Sequence, residues 1–362
     1  MTLESLGIAG IVFSLSSWMT SRLSSPAARL RLLDHPNERS LHTAPVPRTG
    51  GLAILASLTA GLLLELARAF LAGTRGEFQS NQSGWILFML LLIVVVSLWD
   101  DWSELPPGLR FVVHAVAAAG VVAGGGLTID ALGLPGLPMT ALGWLAVPLT
   151  ILCLMWMTNL YNFMDGMDGF AGGMTVMGFG FLGYLAWTGG DSFVALLSLL
   201  TVGATGGFLI FNRPPARIFM GDAGSTLLGF LAGTLSVLEV HRGLFDLWVP
   251  ILIFSPFIVD ATTTLFRRLL RGEKIWQAHR QHYYQRLVLL GWSHRKTVRL
   301  EYCLMLACGL SAALYNAAGA RLRLALLAGW LLIYLALAYG VRHAELSSRN
   351  AGTPGHGEAL TR

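Results

Sequence analysis

Long apolar runs separated by short polar interruptions dominate this chain and decide its class before any single residue does. A bilayer span needs about 20 predominantly apolar residues in a helix. Eleven stretches qualify, at 4–21, 50–72, 84–99, 110–127, 142–160, 170–188, 192–211, 223–239, 247–266, 300–318 and 323–341. They leave no room for a separate water-soluble domain. A spanning segment must satisfy its backbone groups internally, so the expected fold is all-α: a polytopic integral membrane protein of about 11 helices. Residues 1–345 read as one integral domain, and 346–362, rich in Ser, Gly and Glu, as a disordered tail. The first stretch opens on Met1, Thr2, Leu3 and Glu4 without the basic leader of a cleaved signal, and is read as a retained helix. The interruption TIDALGLPGLPMTA, 128–141, alternates apolar and small residues around Pro135 and Gly136 and predicts a small hairpin.

Composition agrees with the pattern. Hydrophobic residues make up 54% and charged residues 12% of the 362, and the mean hydropathy of +0.61 lies outside the soluble range. Where the charges fall adds a direction. With the N-terminus outside, 20 of the 25 Lys and Arg lie in inner segments, and only Arg68, Arg75, Arg242, Arg321 and Arg323 lie outside. The expected topology is therefore N-out, C-in, with the bilayer as first partner. The net charge of +5 reads mainly as this insertion signal, and no nucleic-acid partner is expected. Cys153, Cys303 and Cys308 have no metal-like spacing and fall inside predicted spans, which excludes a disulfide scaffold.

The inner segments hold carboxylates where a membrane protein normally avoids them. Asp100 and Asp101 follow the third span, Asp165 and Asp168 the fifth; Asp222 precedes the eighth, and Asp260 lies late in the ninth. Adjacent acids at a helix C-terminus oppose the helix dipole, so a cation is expected beside Asp100 and Asp101. In NLYNFMDGMDG, Asn159, Asn162, Asp165 and Asp168 recur every three residues, placing amides and carboxylates along one helical face or turn. Hard cations take oxygen ligands, and nucleotides take hydrogen bonds, so such a ladder suits a metal-nucleotide complex. In FNRPPARIFMGDAGST, Asp222 reads as an N-cap of the eighth helix, and its Gly and Ser neighbours offer phosphate or metal a backbone pocket.

Two basic loops complete the set. Arg39, His42 and Arg48 lie in a Pro-stiffened stretch, and Arg280, His282 and Arg286 recur at near-helical spacing beside Tyr283 and Tyr284. Arginine forks bind phosphate oxygens bidentately, which favours anion binding here. His279, His282 and His294 are not spaced as a zinc site.

With these segments in view, the chain resembles the polyprenyl-phosphate N-acetylhexosamine 1-phosphate transferases, the superfamily of phospho-N-acetylmuramoyl-pentapeptide transferase, from Asp34 to Arg286. The resemblance implies a magnesium ligand at Asp222 in MGDAGS, and a paired motif at Asp100 and Asp101 serving catalysis, metal binding or deprotonation of the lipid phosphate. It implies that Asn159, Asn162, Asp165 and Asp168 line the nucleotide and metal site, and that Asn212 belongs to a Phe-Asn-Pro-Ala-like segment. The candidate catalytic residues are thus Asp100, Asp101, Asp165 and Asp168, and the candidate metal ligands Asp222, Asp101 and Asp165. Substrate binding falls to Asn159, Asn162, Asn212, Arg39, His42, Arg48, Arg280, His282 and Arg286.

The implied cofactor is Mg²⁺, with Mn²⁺ as substitute. The implied substrates are a UDP-N-acetyl sugar and undecaprenyl phosphate, used at the cytoplasmic face of a bacterial inner membrane, and a homodimer is the assembly to consider. AHRQHYYQRL departs from the family's histidine-rich form: His279 replaces its Asp, and Tyr284 and Gln285 replace its last two histidines. Ser40 stands where the family often has Lys. The variant looks like the branch that starts O-antigen or capsule chains with N-acetylfucosamine or N-acetylquinovosamine, N-acetylglucosamine being the alternative. A secondary transporter also carries membrane acids, but near the bilayer midplane on interrupted, repeated helices; here they cluster at inner ends.

Overall fold

The computed structural model describes residues 2–28, 30, 32–36, 41–42, 44–73, 80–103, 105–274 and 279–350. Their helices are α1 (Leu3–Leu23), α2 (Gly50–Leu71), α3 (Asn81–Ser103), α4 (Pro107–Gly125), α5 (Ala146–Met164), α6 (Phe170–Gly189), α7 (Ser192–Asn212), α8 (Gly221–His241), α9 (Trp248–Leu270), α10 (Tyr283–Leu289), α11 (His294–Ala317) and α12 (Ala320–Asn350). Among the described residues, eleven helices are long and apolar enough to cross a membrane, and they coincide with the eleven apolar stretches. Only the short α10 is additional. The helix α12 runs to Asn350, so 346–350, expected to open a disordered tail, are helical; the remainder of that tail lies outside the described residues.

The expected hairpin is present: β3 (Ala131–Leu132) pairs antiparallel with β4 (Thr140–Ala141). A second hairpin, β1 (Leu33–Asp34) with β2 (Val46–Pro47), was not expected. Its strands are two residues long and include a proline, which carries no amide donor. Its other partners supply the order. Arg48 N donates to Leu32 O at 2.8 Å, and Phe219 N donates to Pro47 O at 2.7 Å.

In the centre stands α8, with 94% of its apolar window buried, against 11% for α12 at the periphery. Lipid offers no hydrophobic drive for helix association, so close approach of small residues carries much of the packing. A Cβ at Gly203 on α7 would lie 2.8 Å from the Ala9 carbonyl oxygen of α1, and Ser16 Oγ donates to Ala204 O at 2.5 Å along the same contact. On the outer faces, Leu331, Leu332, Leu335 and Tyr339 of α12 are exposed, as lipid contact requires.

Eleven antiparallel spans bring the α1–α2, α3–α4, α5–α6, α7–α8 and α9–α11 connections to one end, and long-range hydrogen bonds lace them together there. Gly50 N and Gly51 N donate to Phe219 O and Met220 O at 2.9 and 2.7 Å, seating α2 against the start of α8. Asp260, whose role the sequence left open, accepts from Tyr283 N at 3.0 Å, Tyr284 N at 3.3 Å and Thr264 Oγ1 at 3.1 Å, with His282 Nδ1 3.1 Å away. It fastens α10 to α9. From the far side, Glu345 of α12 takes both Arg286 Nε and Nη2 at 2.6 Å.

Two outcomes follow. A Cβ on Gly51 would fall 2.5 Å from Gly224 N and 2.8 Å from Gly224 Cα, backbone atoms that cannot swing aside. Gly51→Val should therefore destabilise the detergent-solubilised protein by about 1–3 kcal/mol in thermal unfolding, while Gly180→Ala, with nothing within 4 Å, should not. Asp260→Ala removes a charged acceptor worth about 1.5–3 kcal/mol per bond. Amides of 282–289 should then exchange with deuterium at least about tenfold faster while α7 and α8 keep their protection; unchanged protection in α10 would show that Asp260 is not its anchor.

Candidate active site

The site is built around the N-terminus of α8. Gly221 takes φ +74°, and a Cβ there would run into the Arg48 carbonyl, so glycine lets α8 begin hard against the loop before α2. The exposed amides at this end are met by a side chain from another span: Asp101 Oδ1 accepts from Asp222 N at 3.2 Å and Oδ2 from Ala223 N at 3.3 Å. A carboxylate at the C-terminus of its own helix is unfavourable, and at the N-terminus of another favourable, by up to about 2 kcal/mol when partly buried. Asp101 is buried and occupies both positions at once. Arg48 Nη2 fastens the same corner by donating to Asp101 O at 3.0 Å.

Asp222 is not the N-cap the sequence suggested. It is the second residue of α8, with its carboxylate turned outward between two spans. Asn162 Nδ2 donates to Asp222 Oδ1 at 2.7 Å and lies 3.0 Å from Ser225 Oγ. Arg110 Nη1 lies 3.0 Å from both Asp222 Oδ2 and Asp100 Oδ2, and Asp100 Oδ1 accepts from Leu105 N at 2.7 Å. The cation expected beside Asp100 and Asp101 is therefore Arg110, one turn into α4. Exposure separates the acids: the Asp222 side chain is 36% exposed and that of Asp100 5%. Of the two, Asp222 is the one open to solvent.

The amide and carboxylate ladder divides. Helix α5 ends at Met164; Asp165 is its C-cap and Asp168 lies in the turn before α6. Partial withdrawal from water, then the negative charges of Asp222 and Asp34, hold the Asp165 carboxyl well above the ordinary range. Like charges crowded in this way are relieved by a cation. Among the described residues no three His, Cys, Asp or Glu side chains form a ready metal cage. Magnesium does not need one, since it is commonly held by one or two carboxylates with water and substrate phosphates. Asp222 and Asp165 fit that requirement. Asp101, expected as a ligand, has both oxygens turned to backbone amides and is a cap in this structure.

The structure gives several other candidates different partners. Asp168 Oδ2 accepts from Ala216 N at 3.0 Å and lies 3.4 Å from His294 Nδ1, bracing the loop before α8. Asn212 Oδ1 accepts from Gly169 N at 3.0 Å while its Nδ2 donates to Ile218 O at 2.9 Å. Both functions of that amide are spent on backbone, so the substrate contact expected of it is replaced by a scaffold role. Asn159 Nδ2 donates to Met155 O of its own helix, and its neighbour on α4 is the buried His114. Arg286 and His282, expected to bind anions, are taken by Glu345 and Asp260. His42 lies 3.7 Å from Asp34 and edge-on to Phe219, Arg280 is half-buried ahead of α10, and Arg39 lies outside the described residues. Burial and neighbouring His282 lower His279 to about 4, so it is neutral at pH 7. Arg110 and Glu345 were missed, while Ser225 was read only as part of the backbone pocket beside Asp222. Only Arg110 had a signal, the unmet need for a cation beside two acids.

Comparison with known proteins agrees with this geometry. The family model described as glycosyl transferase family 4 matches residues 84–239, the segment carrying Asp100, Asp101, Arg110, Asn162, Asp165 and Asp222. The chain is 33% identical over 295 residues to a Bacillus subtilis protein named "Probable undecaprenyl-phosphate N-acetylglucosaminyl 1-phosphate transferase", covering 81% of this chain and 79% of that one. It is 27% identical over 334 residues to a Yersinia pestis protein named undecaprenyl-phosphate alpha-N-acetylglucosaminyl 1-phosphate transferase, covering 88% and 86%. A Shouchella clausii phospho-N-acetylmuramoyl-pentapeptide-transferase is 33% identical over 160 residues, 43% of this chain and 47% of that one. By these matches the chain belongs to glycosyl transferase family 4, among the polyprenyl-phosphate N-acetylhexosamine 1-phosphate transferases.

Proposed function

We propose that this protein transfers an N-acetylhexosamine 1-phosphate from a UDP-sugar to undecaprenyl phosphate at the cytoplasmic face of a bacterial plasma membrane, as the first step of a surface polysaccharide. The observation that carries the reading is Asp222, half-exposed at the N-terminus of the central helix and held by Arg110 and Asn162 from two other spans. The cytoplasmic placement rests on the 20 of 25 Lys and Arg that lie in segments at the same end as the acids.

In the reaction a lipid phosphate oxygen attacks the β-phosphorus of the UDP-sugar, the bond from that phosphorus to the bridging oxygen breaks, and UMP leaves with the electron pair. Both reactants are anions, so alignment and charge neutralisation are the main requirements. Mg²⁺, held by Asp222 and Asp165, supplies that neutralisation at the diphosphate when bound. Arg110 fixes the Asp222 carboxylate, and Asn162 orients its other oxygen. Asp100 is an unsuitable base, because its oxygens are taken by Leu105 N and Arg110. None is needed, since the second pKa of a phosphate monoester is about 6.

The donor we favour is a 6-deoxy N-acetyl sugar, N-acetylfucosamine or N-acetylquinovosamine, leading toward O-antigen. Its support is the altered 279–286 stretch, where Tyr284 and Gln285 abut Gly166 between the two site acids of the α5–α6 turn. UDP-N-acetylglucosamine is the competing donor, because the relatives are named for it.

Purified protein in detergent with undecaprenyl phosphate and Mg²⁺ should release UMP from at least one of these three UDP-sugars. Asp222→Asn should lower turnover by about 100-fold or more, and chelation should abolish release until Mg²⁺ or Mn²⁺ is restored. Lipid-independent release, or none from any donor by folded protein, overturns the proposal. Arg110→Gln should lower kcat by roughly 10-fold or more, with Arg110→Lys recovering part of it; a variant as active as the original would remove Arg110 from the site.

A further inference from the structure

A second basic feature stands apart from the acid cluster. Behind the loop joining α7 to α8, a cavity of about 560 Å³ opens between that loop and the first turns of α11. Four guanidinium groups line it: Arg213 and Arg217 from the loop, Arg295 and Arg299 from α11. All four residues are exposed, and among the described residues none forms an ion pair with a carboxylate. Asp168, which meets the loop, is engaged by Ala216 N and His294, and of the acids nearest in the sequence Asp222 pairs with Arg110 while Glu301 pairs with none of the four. Arg295 Nε donates to Pro214 O at 3.2 Å and Arg217 lies over the Phe211 ring at 5.3 Å, which position two of the groups without neutralising them.

An orientation signal requires arginines at this end of the bundle. It does not require four of them, from two distant segments, around one cavity. Exposure lets water screen their mutual repulsion, and four like charges around one cavity raise the local potential for an anion. Most of the remaining lining is apolar, with Ile210, Phe211 and Val298 among it, and the one hydroxyl there, on Tyr302, is spent on Gly169 O at 2.7 Å. Ile210 is exposed on the outer side of α7 near its end, where an acyl chain would pass. Guanidinium groups at a helix end over an apolar wall match the two parts of a phospholipid, a phosphate head and a hydrocarbon tail.

We propose that this cavity binds the phosphate headgroup of an anionic phospholipid. The inference rests on the membrane fold and not on the transferase reading. Its phosphate chemistry is shared with free phosphate, but the apolar wall is not. An occupant would brace the 213–218 loop, which Asn212 and Asp168 hold beside Asp222.

The test is native mass spectrometry of the full chain in detergent, titrated with phosphatidylglycerol, phosphatidylcholine or inorganic phosphate. Phosphatidylglycerol should bind as a single retained adduct, and phosphatidylcholine should bind more weakly. Arg295→Gln/Arg299→Gln and, separately, Arg213→Gln/Arg217→Gln should each weaken phosphatidylglycerol by roughly tenfold or more. Arg22→Gln/Arg271→Gln, which removes the same charge at this end of the protein but away from the cavity, should leave it unchanged. Thermal unfolding of each variant confirms that it remains folded. Equal loss in the control pair would reduce the effect to general surface charge, and phosphate binding as tightly as the lipid would identify an anion site without a lipid. Either result overturns the proposal.

Discussion

The structure depends on one exchange between helix ends. Asp101 sits where its own helix disfavours a negative charge and is retained because the N-terminus of α8 accepts it, through two amides at 3.2 and 3.3 Å. That contact fixes the depth of α3 against α8. It also frees the Asp222 side chain from capping, so that the one carboxylate facing outward at this helix start is available for chemistry. Asp222 N, the amide it would otherwise help to satisfy, is held from another span.

Around that contact the charges form a chain in which each group answers the one before. Asp100 is buried and needs a cation; Arg110 provides it and passes its second contact to Asp222, which Asn162 restrains from the other side. Removing one member would leave a buried or half-buried charge unpaired, usually more costly than losing the pair as a whole. The geometry of Asp222 is thus set by residues on α4 and α5, at distances in sequence that only the span order can close. Asp260 repeats the logic at α10, accepting from Tyr283 N and Tyr284 N with His282 Nδ1 3.1 Å away.

Much of this was legible in the chain. Apolar run length alone located eleven helices, because a bilayer imposes length and composition on each independently of its neighbours. The acids were legible for the complementary reason: a carboxylate near a span has to be explained, and Asp100, Asp101, Asp165 and Asp222 do converge on one end. Partners were not legible. Asp101 and Asp222 look alike in sequence, yet one is a buried cap and the other a half-exposed carboxylate, a distinction made by the crossing of α3 and α8. At 159–168 a period of three left open one helical face or a turn, and the helix ends at Met164, sending Asn162 toward α8 and Asp168 toward the 213–218 loop. Arg286 was read as an anion ligand because its partner, Glu345, lies in the C-terminal extension of α12, which the apolar pattern did not include.

The same reasoning separates the two basic regions of this face. Arginines that answer carboxylates, Arg110 and Arg286, are accounted for by the fold and set the positions of other groups. Those around the α7–α11 cavity answer no carboxylate among the described residues, and a group of like charges without a counter-ion favours an anion from outside the chain. Near the acids the unmet charge is negative, and the proposed external partner is a cation with its phosphates. Behind the loop the unmet charge is positive, and the apolar wall beneath it distinguishes a lipid anion from a soluble one. The 213–218 segment lies between the two, tied by Asn212 to its own ends and by Asp168 to the acid-bearing turn. Whatever occupies one side therefore acts on the loop that frames the other.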